Sequence, residues 1–292
     1  MPTALPADDP GALLDAVLAA NASTESPRLR ELMDGLVRHL HTLAVEVDLT
    51  PAELNRALDF LVAIGQASGP KKHEGILLAD LLGVSTLVQL RAARHALAAG
   101  ATEPALIGPF WRANQPLCRN GERICSADTP GARLRVTGRV VSLDGAPIAG
   151  ARVETWQASP AGLYENQDET QAEMNLRGRF ETDADGRFSF ETVRPAGYPV
   201  PADGPCGELL RAQRRSVMRP AHLHFIVVAP GHKVLATQFF DRTDPHAGDD
   251  AVFGVVGSLL RELEPDGEGG FRLAVELRLE PGETDVPHCP IP

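Results

Sequence analysis

Apolar positions recur three and four residues apart through the first hundred residues. From Pro27 to about Leu49 they are Leu29, Leu32, Met33, Leu36, Val37 and Leu40, a spacing that predicts an amphipathic helix. A second helix starts sharply at Thr50: the threonine is a capping residue, Pro51 takes the first helical position, and Glu53 completes a capping box. It continues through Leu54, Leu58, Leu61 and Val62 to Gly65. Gly75 to Ala99 is helical in pattern again, with a break near Gly83-Val84-Ser85 and a stop at Gly100. Residues 1–26 are rich in Pro, Ala and Asp and only partly helical in pattern.

The period then shortens. The chain is rich in Pro and Gly from Thr102, and beyond Arg133 it consists of short apolar runs separated by turns. Leu134–Leu143, Ala151–Gln157, Gly178–Thr182, Arg187–Glu191, His222–Ala229, Val234–Phe240 and Leu273–Leu279 read as strands. Asp144-Gly145 has the form of a hairpin turn, and Asp185-Gly186 and Pro230-Gly231 mark further turns. No helical pattern interrupts this series, and polar, acidic residues 165–175 predict an exposed loop. The fold class that follows is α+β: an α-helical region over 1–100, then an antiparallel β-sandwich or barrel over 101–292.

Composition narrows the possible partners. A chain of 292 residues allows one or two domains with a sizeable core, and 43% hydrophobic with 23% charged residues is ordinary for a globular protein. A net charge of −11 repels phosphate and argues against nucleic acid. No apolar run is long enough to span a bilayer and no leader pattern is visible, so the expectation is a cytoplasmic protein. Cys118, Cys125, Cys206 and Cys289 lack metal-type spacing and are expected as thiols outside any disulfide or catalytic role.

The candidate chemistry centres on His222-Leu223-His224. Residues two apart on a strand share a face, so the two imidazoles point the same way and form half of a metal site. His39 and His41 have the same spacing in a helical pattern, where such residues diverge, and are expected as surface and boundary residues. The chain holds only two tyrosines, Tyr164 and Tyr198, both in loops of the β region. Taken singly, each reads as a boundary aromatic with its hydroxyl in water; beside the histidine pair they supply two hard oxygen donors. Phenol titrates near about 10, so ionising two at neutral pH requires a strongly charged Lewis acid. Zinc sites use His, Cys and carboxylate, whereas two phenolates and one hydroxide neutralise ferric iron. A dianionic diol could replace the hydroxide and one phenolate at no change of charge, which favours binding of catechols. Residues alone leave open a non-catalytic β-sandwich carrier and a zinc or copper site built on the histidines only.

Gly197-Tyr198-Pro199-Val200-Pro201-Ala202-Asp203-Gly204-Pro205 and Arg219-Pro220-Ala221-His222-Leu223-His224-Phe225 resemble the intradiol ring-cleavage dioxygenases. Ala229-Pro230-Gly231 and Thr237-Gln238 extend the likeness. The helical region, with Ile76-Leu77-Leu78-Ala79-Asp80-Leu81-Leu82-Gly83-Val84-Ser85, resembles the N-terminal dimerisation domain of the catechol and hydroxyquinol 1,2-dioxygenase branch. Ile107-Gly108-Pro109-Phe110-Trp111, Leu176-Arg177-Gly178-Arg179-Phe180 and Asp250-Ala251-Val252-Phe253-Gly254-Val255 look more like hydroxyquinol than catechol enzymes. Trp111, where a smaller ring or Tyr is commoner, and the loop between Tyr164 and Leu176 depart from the pattern.

The resemblance implies one Fe(III) per chain held by Tyr164, Tyr198, His222 and His224, with Tyr198 and His224 axial. An aromatic diol or triol would displace Tyr198 and hydroxide, which act as bases, and react with O2 between its hydroxylated carbons. Arg219 would stabilise negative charge on the ring and Gln238 would position the reacting group. Leu77, Asp80, Ile107, Gly108, Pro109, Phe110, Val200, Pro201 and Val252 would line the pocket, with Asp80 meeting hydroxyquinol's third hydroxyl. The resemblance also implies a homodimer through the helical domain and a phospholipid at its interface.

Overall fold

The computed structural model of the protein describes residues 9–69, 73–287 and 289, so part of the expectation for residues 1–26 lies outside it. The chain forms two compact units, one ending at Ala63 and the other starting at Ile64. In the first, α1 (Pro10–Asn21) packs on α2 (Pro27–Glu46). The α1 helix is longer than the pattern promised: Asp9 caps it by accepting from Ala12 N at 3.0 Å, and Pro10 starts it. The helix α3 (Pro51–Ala67), in which the unit boundary falls, opens with the expected capping box. Thr50 Oγ1 accepts from Glu53 N at 3.3 Å, and Glu53 Oε2 accepts from Thr50 N at 2.9 Å. Leu29, Leu32, Met33, Leu36, Leu40 and Leu43 along α2, and Leu54, Leu58, Leu61 and Val62 along α3, are exposed. His39 is exposed and His41 half-buried, as their helical spacing predicts.

After the end of α3, the second unit continues with α4 (Glu74–Leu81) and α5 (Val84–Ala98), broken where the sequence placed the interruption. Gly83 there takes φ +70°, a left-handed conformation that glycine adopts without strain. The strands follow in order: β1 (Arg133–Ser142), β2 (Arg152–Trp156), β3 (Arg177–Glu181), β4 (Arg187–Val193), β5 (Tyr198–Pro199), β6 (Met218–Arg219), β7 (His222–Val228), β8 (Leu235–Asp241), β9 (Leu260–Arg261), β10 (Glu264–Pro265) and β11 (Phe271–Leu279). A helix, α6 (Pro205–Gln213), lies between β5 and β6. It overturns the expectation that no helix interrupts the series. Nine residues are too few to display a helical period, and Pro and Gly in the segment read as loop.

Two sheets form the sandwich, in the orders β10-β11-β1-β4 and β3-β2-β7-β8-β9, and β5 with β6 makes a separate pair. They are mixed rather than wholly antiparallel, since β1 pairs with β11 and β8 with β9 in parallel. A parallel pair requires a long crossover, and the chain supplies one by passing through the second sheet before returning beside β1. The Asp144-Gly145 turn closes only a bridge between Val141 and Pro147, after which β2 joins the other sheet. Asp185-Gly186 likewise joins β3 and β4 across the sheets, whereas Pro230-Gly231 turns a true hairpin between β7 and β8. Between the sheets, Leu134, Val136 and Val140 of β1 and Phe188 and Phe190 of β4 meet Val153, Phe180, Leu223, Phe225 and Val227.

Residues 165–175 are less exposed than their composition predicts. Glu165 and Asn175 are buried because both are partnered: Glu165 with Arg177, and Asn175 Oδ1 accepting from Ser126 N at 2.8 Å. None of the four cysteines forms a disulfide. No single helix among the described residues is long and apolar enough to cross a membrane.

Asp266 ties the β10–β11 loop to β1. It accepts from Glu268 N at 2.8 Å, Gly270 N at 2.9 Å and Arg133 Nη2 at 2.8 Å. The two backbone bonds and the guanidinium hold its carboxyl down to about 2. Because this folded value is depressed, its stabilisation is present above the unfolded value near about 3.9 and is lost as pH falls through the folded one. Asp266→Asn should therefore lower the urea midpoint at pH 5, with the gap to wild type closing in increasingly acid buffer. An equal gap at every pH would show that the carboxylate charge plays no part.

Candidate metal centre and active site

Period-two alternation on β7 sorts its residues onto two buried faces. Leu223, Phe225 and Val227 enter the inter-sheet core, leaving His222, His224 and Ile226 on the opposite face. The register then furnishes the surroundings. Trp156 on β2 lies opposite His224 and stacks on it at 4.5 Å, while Gln238 lies opposite it on β8. Tyr198 arrives on β5, paired with Arg219 on β6. Tyr164 sits at the head of a short 3-10 turn (Glu165–Gln167), its N–H donating to Gln167 Oε1 at 3.0 Å and its ring stacked on Phe110 at 4.4 Å.

These elements bring four donors together. Tyr198 Oη is 3.1 Å from Tyr164 Oη, Tyr164 Oη is 3.2 Å from His224 Nε2, and His224 Nε2 is 3.0 Å from His222 Nε2. All four side chains are buried, which overturns the picture of two tyrosine hydroxyls in water. Such separations suit ligands sharing one ion at bonds of about 2.0–2.1 Å. His222 Nδ1 lies 2.7 Å from the Pro220 carbonyl, which fixes its proton there and leaves the Nε2 lone pair for a metal. Among the described residues, no group of three or more His, Cys, Asp or Glu is placed to hold a metal. The groups beside the histidine pair are the two phenols.

Electrostatics point the same way. Burial, then the nearby Arg219 charge, pushes His222 well below the ordinary imidazole range; burial, then His222 and Arg219, does the same to His224. Both imidazoles are thus neutral, the form that ligates. Burial, reinforced by Tyr198, pushes the Tyr164 phenol well above its ordinary value, so only a strong adjacent cation would ionise it. Behind Tyr164, Arg177 donates to Glu165 Oε2 from Nε at 2.7 Å and to the Phe110 carbonyl from Nη1 at 2.6 Å. That buried pair fixes both the tyrosine's turn and the ring stacked on it.

Arg219 and Gln238 stand beside the donors. Arg219 Nη2 donates to Gln238 Oε1 at 2.9 Å, and Gln238 Nε2 donates to the Leu106 carbonyl at 2.5 Å and lies 3.2 Å from His224 Nδ1. Arg219 also pairs with the buried carboxylate of Asp250 at 3.2 Å. Burial works most strongly against the Arg219 charge, but Asp250 together with Tyr198 and Tyr164 outweighs it and holds the guanidinium above its ordinary value. Of the expected pocket residues, Gly108 lies where a Cβ would stand 3.6 Å from His224 Cε1, and Ile107 packs on the Tyr164–Tyr198 cluster. Asp80 and Leu77 are buried on α4, and burial raises the Asp80 carboxyl against a hydrogen bond from Ser85 and the Arg219 charge. Val252 is buried and its N–H donates to Asp250 at 3.3 Å; Val200 is buried, and Pro109 and Pro201 are half-buried beside Phe110 and Val200. Trp111, the departure noted above, is buried with its Nε1 donating to Glu154 Oε2 at 2.9 Å.

Asp250, Trp156 and the Glu165–Arg177 pair carry no role in the sequence reading. A buried arginine demands a carboxylate, but nothing local selects one from 39 acidic residues.

Comparison with known proteins identifies the family. Residues 106–281 match a family model described as dioxygenase, and residues 26–100 one described as catechol dioxygenase N terminus. The chain is 43% identical over 251 residues to hydroxyquinol 1,2-dioxygenase of Rhizobium sp. (strain MTP-10005), covering 86% of this chain and 84% of that protein. It is 39% identical, with a TM-score of 0.86, to the structure of hydroxyquinol 1,2-dioxygenase from Pseudomonas putida DLL-E4, covering 94% of this chain and 99% of the other. Against catechol 1,2-dioxygenase from Pseudomonas arvilla C-1 the values are 30% and 0.77, with 93% and 91% covered. With these matches over most of its length, the chain belongs to the intradiol ring-cleavage dioxygenases, in the catechol and hydroxyquinol 1,2-dioxygenase branch.

Proposed function

We propose that the enzyme uses O2 to cleave hydroxyquinol (benzene-1,2,4-triol) between its adjacent hydroxylated carbons, giving 3-hydroxy-cis,cis-muconate, the enol form of maleylacetate, in aromatic degradation. The observation that carries this is the convergence of Tyr198, Tyr164, His224 and His222, linked in that order by contacts of 3.1, 3.2 and 3.0 Å. These residues would hold one Fe(III) per chain. When bound, ferric iron acts as a Lewis acid on an aromatic diol and makes its ring reactive toward O2.

The chain's own residues supply the rest. Tyr198 is carried by a strand of only two residues, so its support yields more readily than β7 does. With the metal bound, its phenolate would be the base that accepts a proton from the incoming diol. Arg219 provides a fixed positive charge beside the ring, and Gln238, held by Leu106 and Arg219, orients the reacting group. Phe110, Ile107, Gly108 and Pro109 form one wall of the ring pocket, with Val200, Pro201, Leu77 and Val252 closing it. Asp80 accepts a hydrogen bond from the third hydroxyl, which catechol lacks.

The exposed leucines of α2 and α3 support a homodimer formed through the helical domain, taken as residues 1–100 and followed by the catalytic domain over 101–292. A phospholipid between the protomers belongs to the same proposal, and organic extraction of the purified protein followed by mass spectrometry reads it directly.

Oxygen uptake by iron-replete protein, with autoxidation subtracted, should be much faster on hydroxyquinol than on catechol. Faster uptake on catechol would keep the site and reassign the substrate, with cis,cis-muconate as product. Asp80→Asn should reduce the hydroxyquinol-to-catechol ratio of kcat/KM by about tenfold, the worth of one hydrogen bond to a charged group. An unaltered ratio removes Asp80 from selectivity. Tyr198→Phe should retain iron yet lower kcat by about a hundredfold, the usual contribution of a positioned base; wild-type turnover would exclude it as the base. Light scattering should give twice the 31.2 kDa chain mass, and a monomeric mass would overturn the dimer.

A further inference from the structure

Arg219 lies on a strand of two residues, too short to orient a long side chain by itself. Its guanidinium is gripped instead by the loop from Asp250 to Gly254. Asp250 Oδ1 accepts from Arg219 Nε at 3.2 Å, and Oδ2 lies 3.4 Å from Nη2. The same carboxylate accepts from the N–H groups of Val252 at 3.3 Å and Gly254 at 3.0 Å, so it closes the turn that carries it. Arg215 pins this loop from another direction, donating to the Ala251 carbonyl at 2.9 Å and to the Leu81 carbonyl at 3.0 Å.

Gly254 fits the grip closely. A Cβ there would stand 2.9 Å from Arg219 Nη2 and 3.1 Å from Asp250 Oδ2. With Nε on Asp250 and Nη2 shared between Asp250 and Gln238, the edge left facing the donors is Nη1, 3.4 Å from His222 Nε2. A carboxylate behind the guanidinium keeps it charged inside the protein and turns its remaining edge in one direction.

We propose that Asp250 and Gly254 are positioning residues for Arg219: together they aim its Nη1 edge at the reacting ring without touching substrate. The proposal rests on Arg219 stabilising charge on that ring, as described above.

The test compares Asp250→Asn, Gly254→Ala, Arg219→Lys and the Asp250→Asn/Arg219→Lys double variant as iron-loaded enzymes. Each single variant should lower kcat on hydroxyquinol by about tenfold or more, as displacement of a catalytic group does. KM should change by less than about threefold, because the loss falls on the transition state. Iron content and the visible phenolate-to-iron absorption should match wild type. The double variant should be no more than about twofold slower than Arg219→Lys alone, since both changes act through one guanidinium. Gly254→Ala retains every charge on a backbone that alanine adopts, and so decides the matter if Asp250→Asn folds poorly. Wild-type turnover by Asp250→Asn or Gly254→Ala beside a slow Arg219→Lys overturns the proposal and leaves the role of Arg219 standing. Losses that multiply in the double variant, or loss of iron from both loop variants, also overturn it. A fast Arg219→Lys removes the reading of Arg219 and this proposal with it.

Discussion

Burial of polar groups that must each find a partner is the constraint on which the catalytic unit depends. Two imidazoles, two phenols, a guanidinium and an amide share one buried patch, where an unpartnered polar atom is costly. The surrounding chain is arranged to meet that demand. The Pro220 carbonyl takes the His222 proton, the Leu106 carbonyl takes the Gln238 amide, and Asp250 takes Arg219. Each partner comes from a loop rather than from a core strand, so the loops at this end of the sandwich are part of the site.

The same demand separates rigid donors from yielding ones. His222 and His224 belong to a seven-residue strand buried on both faces and hydrogen-bonded on both sides. Tyr164 is backed by Phe110 and, behind it, the Arg177–Glu165 pair. Tyr198 is carried by the smallest of these supports. Three of the four groups are thus firmly held, and the fourth sits on a short strand, which suits the base role proposed for Tyr198.

Much of the site was legible in the sequence because its signals are local. The His222-Leu223-His224 alternation depends only on strand geometry, the capping box at Thr50 only on residues three apart, and the α4–α5 break only on Gly83. Short elements and pairing directions were not legible. The helix α6 spans two and a half turns and was hidden by Pro and Gly, and the parallel partner of β1 lies more than a hundred residues away. Turn signals marked where the chain reverses but not which sheet it joins next, as Asp144-Gly145 illustrates.

By itself, then, the sequence determined the kinds of donor available, the face of β7 that presents two of them, and the order of the longer helices and strands, because these follow from residue chemistry and short-range geometry. Tertiary structure alone decided that Tyr164 and Tyr198 are buried against the histidines, and that Glu165 turns inward to Arg177. It also decided that Arg219 answers to Asp250, a carboxylate 31 residues distant. A buried charge takes whichever partner the fold brings within reach, and that choice is made by long-range packing rather than by neighbours along the chain.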